Sequence, residues 1–348
     1  MSVLRNVARE AGVSISTVSL VINNKPGVSV KTRQRVLATF NQLGYQDYLS
    51  RLAKEKMQKS IQFVLYKKHG QIVSDTPFFS SVLEGVEEQV KKIGYNLLVS
   101  YVYEGQGVAD QVKALKVNNS AGLILLATEM NHQDIEPFRQ MGIPLVVLDS
   151  YFEEIIDDIV VINNVQGAFM ATQYLMEMGH ADIGYLRSRV LINNFFERRD
   201  GFRKALAYRK MPFRKEFEIL LGASAETAYE DMRQRLARDM KLPTAFFADN
   251  DLIAIGAMRA MREAGIRVPE DVSIIGFDDI PICAMIEVPL TTIRVPKGYI
   301  GKLAVDRLVE VINNGNAAQI KVEVCTQLVE RSSVRDLRQA TKAGDGEG

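Results

Sequence analysis

Asp149 closes the apolar run PLVVLD, Asn250 follows TAFFAD, and Asp278 and Asp279 close SIIGFDD. Carboxylate oxygens accept hydrogen bonds, and an amide both accepts and donates. A set of this kind suits the hydroxyl groups of a polyol such as a sugar. Asp and Asn also follow strands as turn formers or helix caps, and that reading stands beside the first. Other chemistries have little to work with. GYIGK at 298–302 lacks the spacing of a phosphate loop, and no GxGxxG follows an apolar run. His69, His132 and His180 stand apart, and Cys283 and Cys325 make no CxxC pair. Neither a metal site nor a histidine-based catalytic set is expected, nor a cofactor, nor an enzyme.

The elements that must position these side chains are legible from residue 61 onward. IQFVLY, NLLVSY, GLILLA and PLVVLD alternate with amphipathic helical stretches. IVVIN, DIGYL, FEILL, TAFFAD and VSIIGFDD do so again. Strands alternating with helices predict parallel sheets covered on both faces, and two series predict two doubly wound halves. Ligands of such sheets bind beyond the carboxyl ends of the strands, where Asp149, Asn250 and Asp278 fall. LTTI at 290–293, a helix near 296–314 and a strand at 320–329 complete the pattern, and TKAGDGEG is expected to be a disordered tail.

The first 45 residues are of another kind. Leu4, Val7, Ala8 and Ala11 repeat with helical spacing, Gly12 can end that helix, and Ser14 or Ser16 can cap the next. Val18, Val21 and Ile22 form the second apolar face; Ser29 caps a third helix with Val36, Phe40 and Leu43 inward, stopped by Gly44. Two helices joined by a short Gly-containing turn make a helix-turn-helix. Net charge is only +1, yet residues 1–60 carry ten Lys or Arg against three acids, leaving 33 against 39 for the rest. A basic head on an acidic body points to nucleic acid; a solvated basic face without a partner is the plainer alternative. QDYLSRLAKEKMQKS at 46–60 reads as a linker that becomes helical when something orders it. No apolar run reaches the roughly 18 residues a membrane span needs, no secretory leader is visible, and two lone cysteines suit a reducing cytoplasm.

The chain resembles the lactose-repressor (LacI/GalR) family of bacterial transcription regulators over essentially its full length. The resemblance rests on NVAREAGVSISTVSLVINNKPGVSVKTRQRVLATFNQLGY, TPFFSSVLEGVEEQVKKIGYNLLV, MGHADIGYL, ERRDGFRKAL, ADNDLIAIGAMRAMREAGIRVPEDVSIIGFDD and PLTTI, in the family's order and spacing. It implies an α/β protein: an all-α helix-turn-helix head (1–45), a hinge (46–60), a core (61–333) like that of periplasmic sugar-binding proteins, and a flexible tail (334–348). The expected lobes are 61–158 plus 294–318 and 159–293 plus 319–333. It further implies a cytoplasmic homodimer, with Met285 and Ile286 at the dimer interface, that binds operator DNA as a repressor. A small polar effector between the lobes, by preference a sugar or sugar derivative, changes their angle and with it operator affinity. The competing expectation is a solute-sensing protein whose DNA binding is weakened or altered.

By resemblance Ile15, Ser16 and Leu20 face the groove floor, Thr17, Ser19 and Asn23 reach phosphates, and Arg33, Ser50, Arg51 and Leu52 complete the DNA contacts. Phe79 would stack on the effector, and Asp149, Arg198, Asn250 and Asp278 would make its polar contacts. Three departures qualify this. Leu20 stands where Arg is common, and Leu cannot hold guanine O6 and N7 as Arg does, which implies an operator richer in A·T at that step. GYQDYLSRLAK lacks the family's Pro and Asn and is one residue shorter, so Leu52 is either a displaced minor-groove wedge or packs with Leu49. In the cleft, Ser150, Asn163 and Ser224 replace Arg, Asp and an aromatic residue, which predicts a roomier, less stacked site.

Overall fold

The computed structural model describes residues 3–23, 25–50, 60–73, 77–116, 118, 120–154, 156–238, 240–315 and 318–338. Two compact units divide at Ser60 and Ile61, the first also taking in Asn118–Ala121. In the first, α1 (Val3–Glu10), α2 (Ile15–Ile22) and α3 (Val30–Gln42) enclose Val7, Val18, Val36 and Phe40. The predicted punctuation is in place. Gly12 takes a positive φ of 62°, the Ser14 side chain accepts from the Thr17 N–H at 3.0 Å, and Ser29 accepts from Thr32 N–H at 3.2 Å. Each cap satisfies an amide that has no partner within its helix. Leu43, expected inward, is exposed instead. Gly44 turns the chain back through a positive φ, the Tyr45 N–H bonds the Phe40 carbonyl at 2.9 Å, and Tyr48 stacks on Phe40. That helix ending brings the tyrosines, not Leu43, onto the core.

The second unit holds two six-stranded sheets. The first sheet contains β1 (Ser60–Lys67), β2 (Asn96–Tyr103), β3 (Gly122–Leu126), β4 (Leu145–Leu148), β5 (Asp158–Ile162) and β11 (Lys321–Val324), in the order β11-β5-β4-β3-β1-β2. The second contains β6 (Ile183–Ser188), β7 (Glu218–Leu221), β8 (Ala245–Ala248), β9 (Ser273–Asp278), β10 (Thr291–Arg294) and β12 (Gln327–Val329), in the order β12-β10-β9-β8-β6-β7. The β10–β12 pair is antiparallel, while β9–β10, β8–β9 and β6–β8 run parallel. β3, β5 and β8 are buried along their whole length, as sheets covered on both faces require.

The helices are α4 (Phe78–Lys92), α5 (Val108–Lys116), α6 (Glu136–Arg139), α7 (Asn164–Glu177), α8 (Asn193–Tyr208), α9 (Ala225–Leu236), α10 (Asp251–Glu263) and α11 (Lys297–Asn314). α7 packs on α8, α9 on α10, and α11 on α4. All three pairs approach closely at glycine. A Cβ on Gly201 would come within 2.3 Å of the Val165 carbonyl oxygen, one on Gly256 within 2.3 Å of Ala225 O, and one on Gly301 within 2.3 Å of Val82 O.

The expected lobe boundaries need correction. The sequence places β5 and β11 in the second lobe, 159–293 plus 319–333, but both belong to the first sheet, where Ile159 pairs with Lys321 and Val146 with Asp158. The expected strand 320–329 is two strands in different sheets, broken at Cys325 and Thr326. The chain therefore passes between lobes three times, after β5, after β10 and after β11. An apolar run such as DIVVI announces a buried strand, but the sheet it joins depends on partners far away in sequence.

Candidate functional sites

The outward face of α2 follows from its inward one. Val18 and Val21 are buried, so at 3.6 residues per turn Ser16, Ser19, Leu20 and Asn23 share the opposite side. Ile15 and Ser16 are exposed and Leu20 is half-buried. Several polar groups are committed locally. Thr17 Oγ1 lies 2.9 Å from Ser14 Oγ, and Asn23 Nδ2 donates to Ser19 O at 2.8 Å. Arg33, read as a DNA contact, donates from Nη1 to Val21 O at 3.1 Å and from Nη2 to Lys25 O at 2.8 Å. It thus closes the carboxyl end of α2, where carbonyls lack helical partners and a cation is favoured. Arg5, Arg9, Lys25, Lys31 and Arg35 are exposed around these helices. Ser50 is exposed at the end of a helical stretch over 46–50, whereas Arg51 and Leu52 lie outside the described residues.

The five expected effector contacts come together in one cleft between the lobes. Phe79 enters it from the start of α4 and Asp149 from the end of β4. Arg198 comes from α8, Asn250 from the end of β8, and Asp278 from the end of β9. Asp149 and Asp278 have positive φ values of 66° and 113°, a conformation that costs an L residue energy and that recurs at binding sites.

Arg198 organises the second-lobe wall. Nε donates to Asn164 Oδ1 at 2.9 Å, Nη1 to Asp249 O at 2.6 Å and Nη2 to Asp278 Oδ1 at 3.1 Å. Its guanidinium carbon lies 3.8 Å from the centre of the Phe277 ring, a cation–π contact. Across the cleft, Thr128 Oγ1 donates to Asp149 Oδ2 at 2.6 Å and Asn194 Nδ2 to Asp149 Oδ1 at 3.1 Å. Burial pushes the Asp149 carboxyl up to about 6 despite Thr128, Arg198 and Asn194, which favour its charge. Burial raises Asp278 as well, with Arg198 and Lys297 opposing it. Asn250 Oδ1 accepts from the Ile253 N–H at 2.9 Å, so it caps α10 while it lines the cleft, and both readings of that residue hold.

The first residues of α8 also bridge the lobes. Asn193 Nδ2 donates to Tyr151 O at 2.9 Å and to Ser150 Oγ at 3.2 Å, next to the Asn194–Asp149 bond. The cavity holds about 30 Å³, room for a few waters. Phe78, Phe195, Ile192 and Leu252 line it as well. Asn163 and Ser224 cap α7 and α9. Thr128, Asn194, Phe195 and Gln71 were missed. Thr128 follows GLILLA at a strand end, the rule that found Asp149, and Asn194 stands one helical turn before Arg198. Gln71 carried no such signal.

Met285 is exposed and Ile286 half-buried on the loop after β9. Ile286, with Ile255, Met258 and Val268, lines an open groove of about 560 Å³. Among the described residues no helix is long and apolar enough to cross a membrane, and no three His, Cys, Asp or Glu side chains are grouped as for a metal ion.

Residues 3–47 match the lacI family of bacterial regulatory proteins, and residues 172–334 the periplasmic binding protein-like domain. The HTH-type transcriptional repressor PurR of Haemophilus influenzae is 32% identical over 346 residues, covering 97% of this chain and 100% of that one. PurR of Photobacterium profundum is 33% identical over 342 residues, with 97% and 100% covered. Among solved structures, the lac repressor dimer bound to operator and the anti-inducer ONPF superposes with a TM-score of 0.74 at 26% identity, over 96% of this chain and 99% of that one. A CelR–cellobiose complex gives 0.72 at 26% over 96% and 100%. A LacI family regulator from Enterococcus faecium with bound ribose gives 0.69 at 27% over 80% and 100%.

Proposed function

The chain belongs to the lacI family of bacterial regulatory proteins and is a DNA-binding transcriptional regulator, not an enzyme; from that premise we propose that it is a cytoplasmic homodimeric repressor governed by a sugar or sugar derivative held between its lobes. The carrying observation is the cleft, where Phe79 and Asp149 of one lobe meet Arg198, Asn250 and Asp278 of the other. Carboxylates beside an aromatic ring match a sugar, whose hydroxyls donate and whose C–H face is apolar. The cellobiose and ribose complexes of similar structures support the same class. Asn193 and Asn194 tie α8 to residues 149–151 across the cleft, so a ligand that displaces them acts directly on the lobe angle.

In the head, Ile15, Ser16, Thr17, Ser19, Leu20 and Asn23 contact DNA, with Leu20 against a thymine methyl in place of a guanine pair. Arg33 acts by holding α2 in shape, and Ser50 meets the DNA beyond the head. Met285 and Ile286 meet their counterparts in the dimer, beside the groove that Ile286 lines. The test is selection of operators from a random DNA pool at two salt concentrations, with and without ribose or cellobiose. A two-fold symmetric consensus, steep loss of affinity with salt and a shift on adding sugar are expected. Salt-independent enrichment, or none, overturns the reading of the head. A consensus that neither sugar affects, with neither sugar bound in calorimetry, overturns the reading of the cleft.

A further inference from the structure

Glu129 follows Thr128 at the end of β3, and its side chain is fully buried. It does not line the cleft. Its carboxylate accepts five backbone N–H groups from one short segment. Oε2 takes Lys68 at 2.9 Å, His69 at 3.1 Å and Gly70 at 2.9 Å; Oε1 takes Ile72 at 2.9 Å and Val73 at 3.1 Å. The remaining amide, of Gln71, donates to His69 Nδ1 at 3.3 Å. Every N–H from 68 to 73 is thereby accounted for without a strand or helix. Burial alone would raise the Glu129 carboxyl, but the amides of Ile72, Gly70 and Val73 outweigh it and hold it below the usual glutamate range.

The segment gathered in this way forms part of the effector cleft. Gln71 and Ile72 line it, and the chain continues to Phe78 and Phe79, which line it too. Gln71 brings an amide that both donates and accepts, the kind of group that separates one hydroxyl pattern from another. An irregular loop has no ladder to keep such a group in place, and here one buried carboxylate supplies the acceptors.

We propose that Glu129 is a positioning residue of the effector cleft, fixing Gln71 and Ile72 as the part of the wall that selects among ligands. This rests on the effector reading of the cleft, so the experiment has an arm without ligand. In hydrogen exchange on the full chain, Glu129→Gln places an NH₂ among five donors. The amides of 68–73 exchange about tenfold faster or more, because charge-assisted bonds are lost, while those of β3 and β4 keep their protection. In calorimetry with ribose and cellobiose, the ratio of the two affinities changes by roughly tenfold. A double variant with Gln71→Ala adds no further change, because the two residues act through one contact. Unchanged exchange at 68–73 overturns the proposal, and so do additive effects of the two substitutions. If neither sugar binds the wild type, the sugar reading falls, and the exchange arm alone decides whether Glu129 positions the wall.

Discussion

The DNA-reading head and the effector cleft hold polar side chains by opposite means. On the outward face of α2 the bonds are local: Ser14 with Thr17, and Asn23 with Ser19, each within four residues and near solvent. In the cleft the partners are distant and buried: Thr128 with Asp149 is 21 residues apart, and Arg198 with Asp278 is 80. The contrast teaches where each property resides. A local cap forms wherever its few residues can fold, and water screens what it does. A buried carboxylate acquires its properties only when two lobes remove it from water, and its partners must then be complete.

The largest effect comes from removing one of those partners. Arg198→Ala leaves the Asp278 carboxylate, the Asn164 amide oxygen and the Asp249 carbonyl without their donor. Breaking a buried pair on one side costs about 3–5 kcal/mol. Urea unfolding followed by circular dichroism should show that loss in the core, while head stability stays unchanged; equal loss in both would break the comparison.

Acidity comes next. Burial raises Asp149 to about 6 and, against Tyr185 and Ser188, Asp249 to about 7. Burial and then the charge of Asp278 raise Asp251 to about 7. An acid with a raised folded-state value binds its proton more tightly when folded. Its stabilising contribution is complete below the unfolded value near 4 and is lost as pH rises through 6 to 7. Core melting temperature should therefore fall from pH 4 to 8. Asp149→Asn should remove the part of that slope between 4 and 6, on the order of 3 kcal/mol. A core stability flat over this range would refute the assignment.

On the head, Leu20→Arg should create a preference for guanine at the base pair it faces, worth ~1–3 kcal/mol. Competition binding between operators differing at that pair reads it directly, and no change would place Leu20 away from the bases. The smallest effects test locality itself. Ser14→Ala should cost about 1 kcal/mol in the head alone, and Ser224→Ala about the same in the core alone, since each removes one helix cap. Thermal scans that resolve the two units would show it.

Most of the head is legible because its determinants lie within a few residues of one another: Gly12, Ser14, Ser29, Gly44 and the apolar spacing. Leu43 is the exception, because helical spacing alone turns it inward and the return of Tyr45 and Tyr48 beyond the helix displaces it. The cleft is legible in membership, since Asp149, Asn250 and Asp278 stand at strand ends, and Phe79 and Arg198 through the family pattern. The remaining wall, Phe78, Phe195 and Ile192 among it, is set by packing between elements that no local pattern specifies.

The sequence by itself determined the helix-turn-helix, the alternation of strands and helices, the basic head and the residues at the carboxyl ends of the strands. These rest on periodicity, capping and composition, which act over one or two turns of chain. Only the tertiary structure decided that β5 and β11 join the first sheet, that Arg198 meets Asp278, and that Glu129 gathers the amides of 68–73. Strand pairing and buried polar contacts are interactions between distant residues, and their strength comes from the removal of water, which only the assembled lobes achieve.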